Sequence, residues 1–142
     1  MHRFHTVATT LRDRHADRVT ISINDEKDAQ DLFHALLWLH FDEVLVEEPM
    51  ESVAGGTTFI DFLLTNERIG IELKNGNRGR TTLRKEINDD RANYGKHSRC
   101  DKLIVFVYDP DNNIRIIPAF EKHLSGVTDG VEAKTFVLPK PH

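Results

Sequence analysis

One stretch constrains the fold more than any other. Leu103-Ile-Val-Phe-Val-Tyr108 is a near-continuous apolar run, bounded by Asp101-Lys102 on one side and Asp109-Pro110 on the other. A strand that keeps one face in water alternates apolar and polar residues. A continuous run must be covered on both faces, which is the mark of a central strand between helical layers. The chain therefore needs a sheet with helices on both sides. Its 142 residues suffice for one core that buries about two thirds of the unfolded surface, and one domain over 1–142 is expected.

The helices and partner strands can be placed around that run. Residues 1–18 mix Phe4, Val7 and Leu11 with Arg and His and can start as a helix. Val19–Ile23 alternates and reads as a short strand or an extended lead-in. Asn24 and Asp25 are N-cap candidates for a helix to about His40, with Glu26, Asp28 and Asp31 near its positive end. Ala29, Leu32, Phe33, Leu36 and Leu37 form its buried stripe. Glu43–Glu48 reads as a strand ended by Pro49, Thr58–Leu64 as the next, and Ile69–Lys74 as a third. Thr81 or Thr82 can cap a helix to about Tyr94, which returns the chain so that Leu103–Tyr108 runs parallel to Ile69–Lys74. A short strand (114–117), a short helix (119–124) and a last strand (133–138) complete an α/β chain with a mixed sheet.

Charge is partitioned along the sequence. The total is -4, with 5 Lys/Arg against 13 Asp/Glu in residues 1–67 and 10 against 5 in residues 68–102. The total argues against a nucleic-acid partner, whereas the basic middle argues for a local one. A solvated helix face is the ordinary alternative. Other chemistries are excluded more simply. Cys100 is the single cysteine, so there is no internal disulfide framework and no cysteine-rich metal centre. No His-x-x-x-His pair, Walker loop or dinucleotide fingerprint occurs. No apolar run approaches a membrane span, and Met1–His5 opens no apolar signal region, so a cytoplasmic location without a membrane partner is expected.

The hairpin 58–74 carries the chemistry. With its loop centred between Asn66 and Glu67, Leu64 faces Ile69 and Asp61 falls opposite Glu72. Side chains so paired lie about 4.5–5.5 Å apart, where like charges repel. Lys74 shares the face of Glu72, two residues on. Two carboxylates and an amine thus converge amid Phe, Ile and Leu. A divalent cation would turn the repulsion into binding, since Mg²⁺ takes one or two carboxylates and keeps its waters and substrate phosphates. Such an ion polarises a phosphoryl oxygen and acidifies water, as phosphodiester hydrolysis requires. A cross-strand Lys–Glu pair on a solvent-facing sheet is the ordinary alternative.

These residues resemble a known family. Asp61, followed after a short hairpin by Ile71-Glu-Leu-Lys74, is similar to the PD-(D/E)xK nuclease superfamily with its restriction-endonuclease-like αβββαβ core. The segments Asp25–Leu37, Gly55–Leu64, Asp90-Arg-Ala-Asn-Tyr94 and Cys100–Pro110 also resemble a bacterial nuclease domain of that kind, over roughly residues 20–120, with 114–138 as accessory elements. The resemblance implies that Asp61 and Glu72 bind Mg²⁺ or Mn²⁺ with the Leu73 carbonyl as a third ligand, and that Lys74 is the catalytic lysine. It also implies an added acid from the 25–40 helix, for which Glu26, Asp28 and Asp31 are candidates with Gln30 beside them. Two positions depart from the pattern: Ile60 stands where the superfamily's name has Pro, and Phe59 where close relatives have an Arg.

The basic segment then acquires a use. Arg78, Arg80, Arg84 and Lys85 directly follow the catalytic strand, where guanidinium groups and a glycine-rich loop can meet phosphates. Tyr94 either supports Lys74, stacks on a base or is core, and Asp90, which in the family-like Asp90–Tyr94 segment can help position the site, reads more simply as a surface acid. The expected function is a divalent-metal-dependent nuclease acting on DNA rather than RNA, with a homodimer formed through the helix face around His34 and Trp38. Two alternatives stay open: a nucleic-acid-binding module that has the fold without catalysis, and a protein-interaction domain using the acidic N-terminal half.

Overall fold

A computed structural model describes residues 1–141. Helix α1 (Phe4–Arg12) and helix α2 (Glu26–Leu37) precede a meander of β1 (Leu45–Glu51), β2 (Thr57–Leu64) and β3 (Ile69–Asn75). Helix α3 (Arg80–Tyr94) then leads to β4 (Lys102–Tyr108), followed by α4 (Ile117–His123), β5 (Gly126–Thr128) and β6 (Val131–Leu138). The six strands form one mixed sheet in the order β1-β2-β3-β4-β6-β5. The meander is antiparallel, whereas β3, β4 and β6 run parallel. This is the αβββαβ order expected from the sequence.

The apolar run of β4 explains the two layers. Leu103, Val105 and Val107 point into a core with Leu83, Ile87 and Tyr94 of α3 and Phe120 of α4. Phe106 and Tyr108 point the opposite way, against Phe4 of α1 and Leu32, Phe33 and Leu37 of α2. Each fully buried Leu or Phe contributes about 1.5–3 kcal/mol. The α2 stripe is the expected one, and Asp25 caps the helix by accepting from the Asp28 N–H at 2.9 Å. Asp28 reaches back to the Asn24 N–H, so it serves the helix end and not the site.

Several elements differ from the sequence expectation. Pro49 lies inside β1, paired with Phe59, because β1 is the sheet's edge strand, where proline is tolerated. The lead-in 19–23 forms no strand, and β5 was not anticipated. Helix α2 stops at Leu37. Helix α3 starts at Arg80 after Gly79, whose φ of 82° lies where side chains are strained; neither Thr81 nor Thr82 caps it. The segment 114–117 is not a strand. The buried Asp109 carboxylate accepts from the Asn113 and Ile114 backbone N–H groups at 3.0 and 2.8 Å, curling the chain into α4.

Asp109 also fixes the loop after β3. A Cβ on Gly76 would come within 2.5 Å of the Asp109 side chain, so the chain leaving β3 packs directly on it. Gly70 is equally constrained. A Cβ there would lie 2.0 Å from the Tyr94 ring, which crosses β3 at that point. Gly70→Ala is therefore expected to lower stability by about 1–3 kcal/mol through overpacking, measured by urea denaturation. A loss below about 0.5 kcal/mol would mean that the ring is not held against β3.

Candidate active site

The site forms where two strands part. The β2–β3 ladder has the expected register, with Leu64 opposite Ile69 and Phe62 opposite Ile71, and it ends there. Beyond Phe62, β2 continues against β1 alone. Face alternation also breaks, since Ile60 and Leu63 enter one core and Phe62 and Leu64 the other. Asp61 sits at the break. Its Oδ2 accepts from the Leu73 N–H at 2.9 Å, replacing a strand partner with a carboxylate. In return, Glu72 Oε1 accepts from the Asp61 N–H at 3.4 Å. Asp61 and Glu72 thus meet, but by reaching across the seam instead of sharing a face.

Glu72 and Lys74 point toward α3. The Tyr94 hydroxyl donates to Glu72 Oε1 at 2.7 Å. The Lys74 ammonium lies 3.3 Å from Glu72 Oε2 and 2.9 Å from Asp90 Oδ2. Asp90 is therefore a partner of the lysine and no surface acid. Tyr94 is fully buried, which excludes base stacking and leaves the role of supporting Glu72. Asp90 and Tyr94 are four residues apart on one face of α3, as i,i+4 spacing allows. That spacing was the available signal for Asp90.

From the other side, Glu26 at the start of α2 accepts from the Asn75 N–H at 3.0 Å and pairs with Arg78 at 2.9 Å. Among the helix candidates only Glu26 reaches this region. Gln30 is half-buried one turn on, and Asp31 faces solvent. Arg78 also pairs with Glu86 at 2.9 Å, so it ties α2 to α3. Lys85 makes an exposed pair with Asp89, Arg84 contacts the His123 ring, and Arg80 is exposed at the first turn of α3. Arg68, Arg99 and Lys102 are paired with Asp101, Glu48 and Glu132. The basic segment is thus largely neutralised, with Arg80, Arg84, Arg91 and Lys96 left without a carboxylate partner among the described residues.

Four carboxylates (Glu26, Asp61, Glu72, Asp90) surround two cations (Lys74, Arg78). The titration behaviour reflects this excess. Glu72 is held well above the usual carboxylate range by burial, then by Asp61 and Asp90, against opposing help from Lys74 and Tyr94. Burial likewise raises Asp90 and Glu26. Burial alone would lower the Lys74 amine, but Glu72, Asp90 and Asp61 together outweigh it and push its pKa up. Lys74 is therefore a firm cation.

This all-oxygen donor set with surplus negative charge suits a hard divalent cation. Asp61 and Glu72 would supply carboxylates. The Leu73 carbonyl faces the same strand edge as the N–H that meets Asp61, as extended backbone requires. Among the described residues no three His, Cys, Asp or Glu side chains are spaced to hold an ion unaided, so solvent or substrate would complete the shell.

A mixed sheet flanked by helices, with acids and a lysine where two strands separate, defines a restriction-endonuclease-like protein. The family model described as REase_DpnII-MboI matches residues 1–140. The chain belongs to the DpnII-MboI restriction endonuclease family, which makes it a DNA nuclease. Comparison with curated proteins and with solved structures found no match. No helix among the described residues is long and apolar enough to cross a membrane.

The excess charge has a consequence for stability. A carboxyl whose folded pKa is raised favours the fold when protonated, and that contribution is lost as pH rises from the ordinary Glu range through the raised value. Glu72→Gln removes the penalty. Without added metal, the variant is expected to melt about 2–6 °C above wild type at pH 8, with the gap closing toward pH 4. Equal melting temperatures at both pH values would show that Glu72 carries no such penalty.

Proposed function

We propose that the chain is a divalent-metal-dependent endonuclease of the PD-(D/E)xK type that hydrolyses DNA phosphodiester bonds at Asp61, Glu72 and Lys74. One observation carries this reading: the Asp61 carboxylate bridges to the Leu73 N–H beside a buried Glu72–Lys74 pair. Asp61, Glu72 and the Leu73 carbonyl would hold Mg²⁺ or Mn²⁺. The ion, when bound, polarises the phosphoryl oxygen and acidifies water.

The remaining roles fall to the chain's own groups. Lys74 is cationic across the physiological range. Its ammonium orients the attacking water and offsets charge on the phosphoryl oxygens as the bond to the leaving oxygen breaks. Asp90 and Glu72 fix its position from two sides. Tyr94 donates to Glu72 and so holds that carboxylate turned away from bulk water. Glu26 anchors the loop at Asn75 and restrains Arg78. Arg80 and Arg84, on the first turns of α3, meet the DNA backbone together with the positive helix end, while Lys85 can exchange its exposed and weak pair with Asp89 for a phosphate. Residues 1–142 act as one nuclease domain, and the half-exposed Trp38 remains our candidate for a dimer contact.

The acidic half has specific uses that do not require a basic partner. Asp25 and Asp28 cap α2, Glu26 and Asp61 belong to the site, and Glu47 and Glu48 pair with Lys27 and Arg99. These uses weigh against the protein-interaction reading.

Plasmid cleavage with Mg²⁺ is the test. Asp61→Asn and Lys74→Gln are expected to cut at least about a hundredfold more slowly than wild type, the scale of losing one group that stabilises developing charge. Chelation with EDTA should stop the reaction and added Mn²⁺ restore it. In calorimetry, Mn²⁺ should bind wild type and lose affinity for Asp61→Asn, with circular dichroism confirming that the variants fold. Undiminished cleavage by Asp61→Asn would refute the assignment. DNA binding without turnover in wild type would favour the silent binding module.

A further inference from the structure

Phe59 is unexplained by the fold. Of the eight phenylalanines, it alone stands exposed, at 57%, while the others are buried or half-buried. The strand is not disordered around it. Ile60 and Met50, on the other face of the β1–β2 hairpin, are buried with Ile87 and Tyr94 of α3.

The exposed face is open for a definite reason. Helix α2 covers this side of the sheet only as far as its own start, where Glu26 meets Asn75 and Lys27 meets Glu47. The β1–β2 register places Glu47 level with Asp61. Everything on this face of β2 before Asp61 therefore lies beyond the end of α2. Phe59 is two residues from Asp61, about 6.5–7 Å along an extended strand, and the hairpin arm that carries it is held at its tip to α3, where the Val53 N–H donates to Asn93 Oδ1 at 2.9 Å.

The arm's charge narrows what can approach it. Residues 43–61 contain Glu43, Glu47, Glu48, Glu51 and Asp61 and no Lys or Arg. Glu47 and Glu48 are paired with Lys27 and Arg99, and the arm brings no cation of its own to a phosphate backbone. An aromatic ring on the arm can still meet the uncharged faces of bases, where stacking is strong and tolerant of sequence. Aromatic and apolar side chains also wedge between base steps. The basic side of the cleft, at Arg80 and Arg84, would take the backbone.

We propose that Phe59 stacks on a base flanking the scissile phosphate and thereby positions the DNA over Asp61. This inference rests on the reading of Asp61, Glu72 and Lys74 as the cleavage site. Phe59 is a substrate-positioning contact that acts on a base, while the cations at the start of α3 act on phosphates.

The cut site is first mapped by sequencing the ends of plasmid DNA cleaved with Mg²⁺. Duplexes containing that site then carry 2-aminopurine at the positions flanking the scissile bond. Phe59→Ala should raise KM about 5- to 100-fold with a much smaller change in kcat, and Phe59→Trp should restore it. In a Lys74→Gln background, which keeps the duplex uncut, protein binding should change the fluorescence at one flanking position, and adding Phe59→Ala should abolish that change. If wild type cleaves and Phe59→Ala matches it in KM, with the fluorescence change retained, this inference alone falls. If wild type neither binds nor cleaves DNA, the reading of the site falls as well. If Phe59→Ala leaves cleavage intact but shifts the solution mass, the ring belongs to a protein contact and the base-stacking role is overturned.

Discussion

The geometry of the candidate site depends on the separation of β2 from β3 after the Phe62–Ile71 pair. A sheet cannot simply stop pairing in its interior, because the exposed N–H and C=O groups would be left without partners in a buried setting. Asp61 resolves this at Leu73 by offering a carboxylate oxygen to the orphaned N–H. One hydrogen bond thus closes the sheet and sets the position of the Asp61 carboxylate at the seam.

The second constraint is electrostatic. Glu72 is almost wholly buried beside Asp61, Asp90 and a single lysine. Removing a carboxylate from water is costly, and the Lys74 pairs return only part of the cost. The fold tolerates this because α3 supplies Tyr94 and Asp90 on one side and α2 supplies Glu26 on the other. Gly70 and Gly76 matter for the same reason: each lets a site-supporting group, the Tyr94 ring or the Asp109 carboxylate, lie directly on the backbone. Stability is given up locally, and negative charge stays concentrated in the candidate site.

Sequence reasoning reached the elements whose patterns are local. The α2 stripe, the two-sided β4 run and the hairpin register each follow from periodicity or loop symmetry over a few residues. It failed where a distant partner decided the outcome. Pro49 reads as a strand terminator unless β1 is known to be an edge strand. Ile114–Ile117 reads as a strand unless Asp109 is known to curl the chain. Asp90 reads as a surface acid unless β3 is known to lie beneath α3. The basic segment reads as a phosphate-binding face until Arg78, Lys85, Arg99 and Lys102 are seen paired with carboxylates from elsewhere.

The sequence by itself determined the layered α/β architecture, the β2–β3 hairpin register as far as Phe62 and Ile71, and Asp61, Glu72 and Lys74 as the chemically unusual residues. Hydrophobic periodicity and like-charge pairing are short-range properties that the chain carries wherever it folds. Only the tertiary structure decided that Asp61 reaches across a seam to Leu73, that Asp90 and Tyr94 hold the lysine and the buried acid, and that Phe59 is left uncovered. These outcomes depend on where β2 leaves β3, how far α2 extends and which face α3 presents, and no local pattern encodes distances between segments that meet only in the folded state.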